Sequence, residues 1–197
     1  MTPFAVIRHG PTAWNDAGRM QGRCDIPLSD AARSWLAARR PPPELDGFAW
    51  MTSPLRRAHD TARLLAPDSI ANRRAGADRD GLGRLGRRDA RRAARRTRRG
   101  LRRQRRSRAR LPAARRRESP HGASPAAALL ARQGAAGAAT VAVTHKGVIR
   151  ALLGLATGWN FLGKPPARLD WSAAHLFALE PDGRPRIDRL NLPLPLR

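Results

Sequence analysis

Residues 4–30 read FAVIRHGPTAWNDAGRMQGRCDIPLSD. Phe4–Ile7 is a short apolar run, closed by Arg8, which reads as a buried strand. It stops at His9-Gly10-Pro11, where glycine and proline mark a turn. A guanidinium and an imidazole therefore stand together where a buried strand ends. Further along, Ser29 reads as the cap of a helix running through Trp35 and Leu36 to about Arg39, closed by Pro41-Pro42-Pro43. Phe48–Thr52 is a second strand. Ser53-Pro54 reads as an N-cap and first-turn proline, opening a helix to about Ala66 that Pro67 ends. Thr140–Thr144 (TVAVT) is a third strand, ending at His145-Lys146-Gly147, and Val148–Ala156 continue as an apolar helix. The stretch from His175 to Leu190, HLFALEPDGRPRIDRL, reads as two strands around a Pro-Asp-Gly turn.

Strands alternating with helices predict a three-layer α/β sandwich with a mostly parallel sheet. In such sheets ligands bind beyond the carboxyl ends of the strands. Arg8, His9 and His145 fall at those ends. Arg57 falls in the first turn of the helix after the second strand, where free N–H groups and the helix dipole favour an anion. Two histidines and two arginines, distant in sequence, are thus expected to converge on one anionic site.

These residues resemble a known family. The stretch from Arg8 to Asp30 is similar to the opening signature of the histidine phosphatase superfamily, the phosphoglycerate mutase-like fold. SPLRRAHDTARLL, from Ser53 to Leu65, resembles its second motif, whose arginine corresponds to Arg57 here. VAVTHKGVIRALL, from Val141 to Leu153, resembles the third, with His145 as its histidine. The resemblance covers roughly residues 3–71 and 128–197. It implies phosphomonoester hydrolysis in which His9 is the nucleophile and forms a phosphohistidine. Arg8 and Arg57 would hold phosphoryl oxygens in bidentate fashion, and His145 would stabilise the charge of the transition state. Neighbouring cations favour the neutral imidazole that nucleophilic attack needs. Gly10, Asn15, Gln21 and Gly22 match positions around the phosphate pocket, and Thr12 is the more natural loop-shaping residue with a phosphate contact open to it. No cofactor or metal is implied, and no Cys/His cluster has zinc spacing. The same pocket can return the phosphoryl group to a sugar acid, so mutase-type transfer is the enzymatic alternative.

The chain departs from the family between the second and third motifs. The family carries a general acid there, usually a glutamate in a segment like LIE–x–x–x–G–x–WEG, followed by a loop like PPGGES. Residues 72–127 instead hold 21 arginines, no lysine, four acids and no Val, Ile, Phe, Trp, Tyr or Met. Such a segment has little to bury and is expected to be disordered or irregular. The genetic code offers a reading of it. GADRDGLGRLGR, from Gly76 to Arg87, is compatible with codons that, started one base later, give ALIEMDWGDWE, with glycine allowed next. The same shift of LPAARRRESPHGASPA, from Leu111 to Ala126, permits FRPPGGESPRMVRRRL. Both missing motifs emerge in one frame, in order. The expectation is that about residues 72–127 are translated out of frame, in one domain spanning residues 1–197.

The net charge of +24 belongs mostly to that block. An arginine-rich insertion binding nucleic acid on a phosphatase-like scaffold is the competing class. The block lacks both lysine and the interleaved aromatics that stack on bases, so no specific nucleic-acid partner is expected. The expected partner is a small phosphorylated substrate. A degenerate, non-catalytic family member is a third class. The single cysteine, Cys24, excludes an internal disulfide and fits a reducing compartment. No apolar run of about 18 residues is present and MTPFAVIRHG lacks the basic start of a signal peptide. The expected location is cytoplasmic, with no membrane partner; composition says nothing of oligomeric state.

Overall fold

In the computed structural model of the chain, the described residues are 1–71 and 125–197. The expectations for residues 72–127 lie outside them, apart from 125–127. Five strands form one sheet: β1 Thr2–Arg8, β2 Ala49–Thr52, β3 Thr140–Thr144, β4 Ala174–Leu179 and β5 Pro185–Leu192, in the order β2-β3-β1-β4-β5. The parallel character expected of the sheet belongs to β2, β3 and β1. β4 pairs antiparallel with β1, and β5 pairs antiparallel with β4, to which the Pro-Asp-Gly turn joins it in a hairpin. The sheet is therefore mixed, with its parallel half carrying every strand end that bears a predicted site residue.

Side chains alternate across the sheet, as the two-residue period of a strand requires. Ala5, Ile7, Val141 and Val143 face one core with Trp50, Ala32 and Leu36 of helix α2 (Asp30–Ala37), and Ala58, Ala62 and Leu65 of helix α3 (Arg56–Leu65). A short helix α1 (Ala13–Asp16) precedes α2, and α4 (Pro67–Ala71) follows α3. Phe4, Val6 and Ala142 face the other core with Leu130 of α5 (Pro125–Ala136), and Ile149 and Leu152 of α6 (Lys146–Thr157). Helices thus cover both faces, which makes the three layers. Burying a side chain such as Ile7 or Ile149 stabilises the fold by about 1.5–3 kcal/mol.

Element boundaries differ from the sequence reading in informative ways. α2 is capped by Ser29, whose hydroxyl accepts from the Ala32 N–H at 3.3 Å, as expected. It ends at Ala37 rather than at Arg39. α3 opens at Arg56 with Leu55 as its cap, not at Ser53. The Ser53 hydroxyl instead pairs with a histidine at the site described below. Pro67 does more than end α3: it opens α4, since a first-turn proline loses no helical hydrogen bond.

Helix α5 meets the β4–β5 turn at two glycines. A methyl group on Gly134 would strike the Glu180 carbonyl oxygen, and one on Gly183 would strike the backbone of Leu130 and Ala131. Gly183 also has φ +88°, a conformation that L side chains rarely adopt. Gly183→Ala is expected to destabilise the protein by about 1–3 kcal/mol, read as a lowered midpoint in chemical denaturation. An unchanged midpoint would show that α5 does not pack on this turn.

Candidate active site

The site is set by strand register. Arg8 of β1 lies opposite Thr144 of β3, so the next residue on each strand is a histidine. The His9 N–H donates to the Thr144 carbonyl at 2.9 Å, which carries the pairing one step past the strand. The rings of His9 and His145 meet edge to face with centroids 5.2 Å apart. On the other side of β3, the Ser53 N–H donates to the Val143 carbonyl at 3.0 Å, and Ser53 Oγ lies 2.8 Å from His145 Nε2. Sequence reasoning missed this role for Ser53; its only signal was a hydroxyl residue at the end of β2, beside β3.

His9 is 6% exposed. Its Nδ1 lies 2.7 Å from the Gly10 carbonyl oxygen, which can only accept. Nδ1 therefore carries the proton and Nε2 keeps its lone pair. Burial pushes His9 down to about 4; the Gly10 carbonyl opposes this, while His145, Arg57 and Arg8 add to it. His145 is likewise pushed down to about 4, by burial and then by Arg57 and Arg8. Both arginines thus act on both histidines, and all four predicted catalytic residues share one locale. Burial lowers the two arginines as well.

Arg57 reaches the site from the first turn of α3. Its terminal nitrogens donate to the Cys24 carbonyl at 2.8 Å and the Gly22 carbonyl at 3.1 Å, so it pins the loop that follows α1. Its buried Nε, like that of Arg8, has no partner among the described residues. Gly22, with φ +51°, meets the site through its carbonyl. Gln21, next to it in sequence, has a buried Oε1 with no partner among the described residues. Asn15 and Thr12 serve the loop itself: Asn15 Oδ1 accepts from the Thr12 N–H and hydroxyl, both at 3.1 Å, in a capping box at α1.

Gly10 is needed where α2 crosses the turn, since a Cβ there would sit 2.8 Å from Leu36 Cδ1. Its N–H donates to Thr61 Oγ1 at 2.9 Å, and that hydroxyl donates to the Arg57 carbonyl at 2.7 Å. Thr61 is wholly buried and was not singled out in the sequence. A cleft of about 580 Å³ opens beside Arg8 and His9, walled by Trp35 of α2 and by Trp171 on the loop before β4, with Asp16 and Asp170 on its lining. A second, apolar groove of about 180 Å³ runs beside Ser53 and His145, between α5 and α6. His175 is wholly buried, and its Nδ1 accepts from the Asn191 N–H at 3.2 Å.

Residues 4–193 match the family described as histidine phosphatase superfamily, branch 1. A 68-residue stretch is 40% identical to an uncharacterised phosphatase, PhoE, of Bacillus subtilis, covering 33% of this chain and 34% of that protein. Another of 68 residues is 37% identical to a metal-independent phosphoserine phosphatase of Arabidopsis thaliana, covering 34% of this chain and 29% of that protein. The matched stretches span about a third of the length of these relatives. A structure named mycobacterial hydrolase 1 superposes with a TM-score of 0.54 at 23% identity, over 97% of this chain and 98% of that one, and shares the fold.

Two outcomes follow from the site. For the histidines, a folded-state value near 4 lies below the ordinary 6.5, so the unfolded chain binds more protons between them. Their contribution to stability is present above about pH 6.5 and is lost as the pH falls through 4. Thermal midpoints measured from pH 7 to 4 are expected to fall, and to fall less in a His9→Asn/His145→Asn double variant. Thr61→Val leaves the Gly10 N–H without its partner, at a cost of about 1–3 kcal/mol in denaturant unfolding. Equal pH slopes in the double variant and the parent, or a neutral Thr61→Val, would contradict these assignments.

Proposed function

Because the chain belongs to the histidine phosphatase superfamily, branch 1, we propose that it hydrolyses phosphomonoesters through a phosphohistidine formed on His9. The observation that carries this reading is a neutral His9 whose Nδ1–H is held by the Gly10 carbonyl, beside His145 and within the influence of two arginines. Fixing the proton on Nδ1 aims the Nε2 lone pair outward as the nucleophile. Nε2 attacks phosphorus in line, the P–O ester bond breaks, and the leaving oxygen takes a proton. Water then attacks the phosphohistidine, releasing phosphate and returning the electron pair to Nε2. Arg8 and Arg57 balance the charge on the phosphoryl oxygens through both steps. His145 adds a hydrogen bond or, once protonated, a charge. Gly10, Thr12, Asn15, Gln21 and Gly22 shape the loop around that group.

The leaving oxygen needs a proton donor. Among the described residues, the carboxylates lining the Arg8–His9 cleft are Asp16 and Asp170. Hydrogen bonds from Ser172 lower Asp170 below the ordinary carboxyl range, which suits an acceptor and not an acid near pH 7. The reading that the family's glutamate was lost with the correct frame over about residues 72–127 rests on the sequence of that segment. Positioned general acid catalysis contributes about 10²–10⁴-fold, so the chain as written is a slow enzyme. Its lone cysteine, Cys24, is exposed and free, consistent with work in the reducing cytoplasm.

Hydrolysis of para-nitrophenyl phosphate, by the chain as written and by a version with the shifted frame restored, tests both statements. Restoration is expected to raise kcat by about 10²–10⁴-fold, and His9→Ala in the restored protein to abolish turnover and the acid-labile phosphoenzyme. Full activity in His9→Ala would end the phosphohistidine reading. A gene whose open frame encodes the arginines as written, with no gain on restoration, would end the frame reading alone.

A further inference from the structure

His145 is the cap residue of α6, and its half-buried ring is held at one nitrogen. Nε2 lies 2.8 Å from Ser53 Oγ, whereas Nδ1 makes no hydrogen bond among the described residues. Ser53 is itself buried and fixed in place. Its N–H donates to the Val143 carbonyl at 3.0 Å, and its hydroxyl oxygen accepts from the Leu55 N–H at 3.4 Å. The hydroxyl therefore stands between the end of β2 and the His145 ring, with one proton of its own to place.

Burial, and then Arg57 and Arg8, push His145 down to about 4, so near neutral pH the ring carries a single N–H. That proton sits on one nitrogen, and the hydrogen bond made by the other decides which. On Nε2, it would give Ser53 Oγ a second donor and leave the Ser53 O–H without an acceptor among the described residues. A buried donor without a partner is costly. On Nδ1, it leaves Nε2 free to accept from the Ser53 O–H, and the open nitrogen is the one that carries the proton. His9 also holds its proton on Nδ1, but commits it to the Gly10 carbonyl. The two rings therefore leave opposite functions open: a lone pair at His9 Nε2 and an N–H at His145 Nδ1.

We infer that Ser53 is a positioning residue: by donating to Nε2 it holds the His145 proton on Nδ1, and so makes that N–H a donor to the phosphoryl oxygens. The donor role rests on the phosphatase reading of the site, and the tautomer rests on the hydroxyl alone. The sign of the interaction with substrate depends on this choice. A lone pair on Nδ1 would repel the phosphoryl oxygens, where an N–H attracts them and strengthens as their charge grows. Ser53 thus acts on the substrate only through His145.

Long-range proton–nitrogen NMR spectra of the full chain, with its histidines isotopically labelled and near neutral pH, test the inference. The His145 signals are identified by their loss in His145→Asn. The parent is expected to show His145 with its proton on Nδ1. Ser53→Ala should move that proton to Nε2, the form an unconstrained imidazole favours in water, and Ser53→Thr should keep it on Nδ1. Inorganic phosphate, followed at the His9 and His145 signals, is expected to bind Ser53→Ala about tenfold more weakly than the parent, the scale of one hydrogen bond to a charged group, and Ser53→Thr within about twofold of it. Following these two rings sets aside phosphate bound elsewhere on the basic chain. A proton on Nε2 in the parent, a proton left on Nδ1 in Ser53→Ala, or equal phosphate binding by Ser53→Ala and the parent overturns the assignment. Phosphate that moves neither ring of the parent overturns the phosphoryl pocket and the donor role with it, while the tautomer is still decided by the spectra without phosphate.

Discussion

The hydroxyl of Thr61 accepts from the Gly10 N–H and donates to the Arg57 carbonyl, wholly out of water. It couples the turn that carries His9 to the helix that carries Arg57. Gly10 in turn lies against Leu36 of α2, and Arg57 reaches down to hold the carbonyls of Gly22 and Cys24. Four separate stretches are thus linked, the threonine joining the two that carry His9 and Arg57. The proposed phosphoryl pocket, which would meet a tetrahedral group from several directions, needs that kind of mutual restraint, because small displacements cost orders of magnitude in rate.

The electrostatics follow from the same packing. Burial first, and then the neighbouring Arg57 and Arg8, push both imidazoles below their ordinary value and favour their uncharged form. The arrangement is costly without an anion, since like charges crowd a poorly solvated region. It is favourable once a phosphoryl dianion stands among them. In the proposed reaction the positive potential that would attract a phosphoryl group also adds to burial in keeping His9 uncharged.

Much of the fold was legible because the sequence is locally consistent there. TVAVT predicted β3 to the residue, and the Ser29 cap and the Pro-Asp-Gly turn behave as their chemistry requires. Arg8, His9, Arg57 and His145 were legible as strand-end and helix-start residues in recognisable motifs. Ser53 misled because Leu55 is the cap of the helix, and the Ser53 hydroxyl, which accepts from the Leu55 N–H at 3.4 Å, also meets a histidine 92 positions away. Thr61 and Trp171 were invisible for a similar reason. A buried threonine in a helix and a loop tryptophan look ordinary until tertiary packing brings Gly10, Arg8 and Lys146 to them. Local pattern identifies the groups that do chemistry better than the groups that hold them.

The parallel pairing of β1 with β3 has a further consequence. It joins Phe4 to Thr140 and Arg8 to Thr144, so its closure carries the chain entropy of nearly everything between. That cost grows only as the logarithm of the enclosed length, about 0.6 kcal/mol for each doubling. The register is meanwhile fixed by short-range features: Ile7, Val141 and Val143 in one core, and the His9–Thr144 hydrogen bond at its end. Altered length or coding in the connection between α4 and α5 therefore leaves the two histidines abreast. The proposed loss of frame over about residues 72–127 would then cost the chain its acid, and not the pairing that sets His9 beside His145.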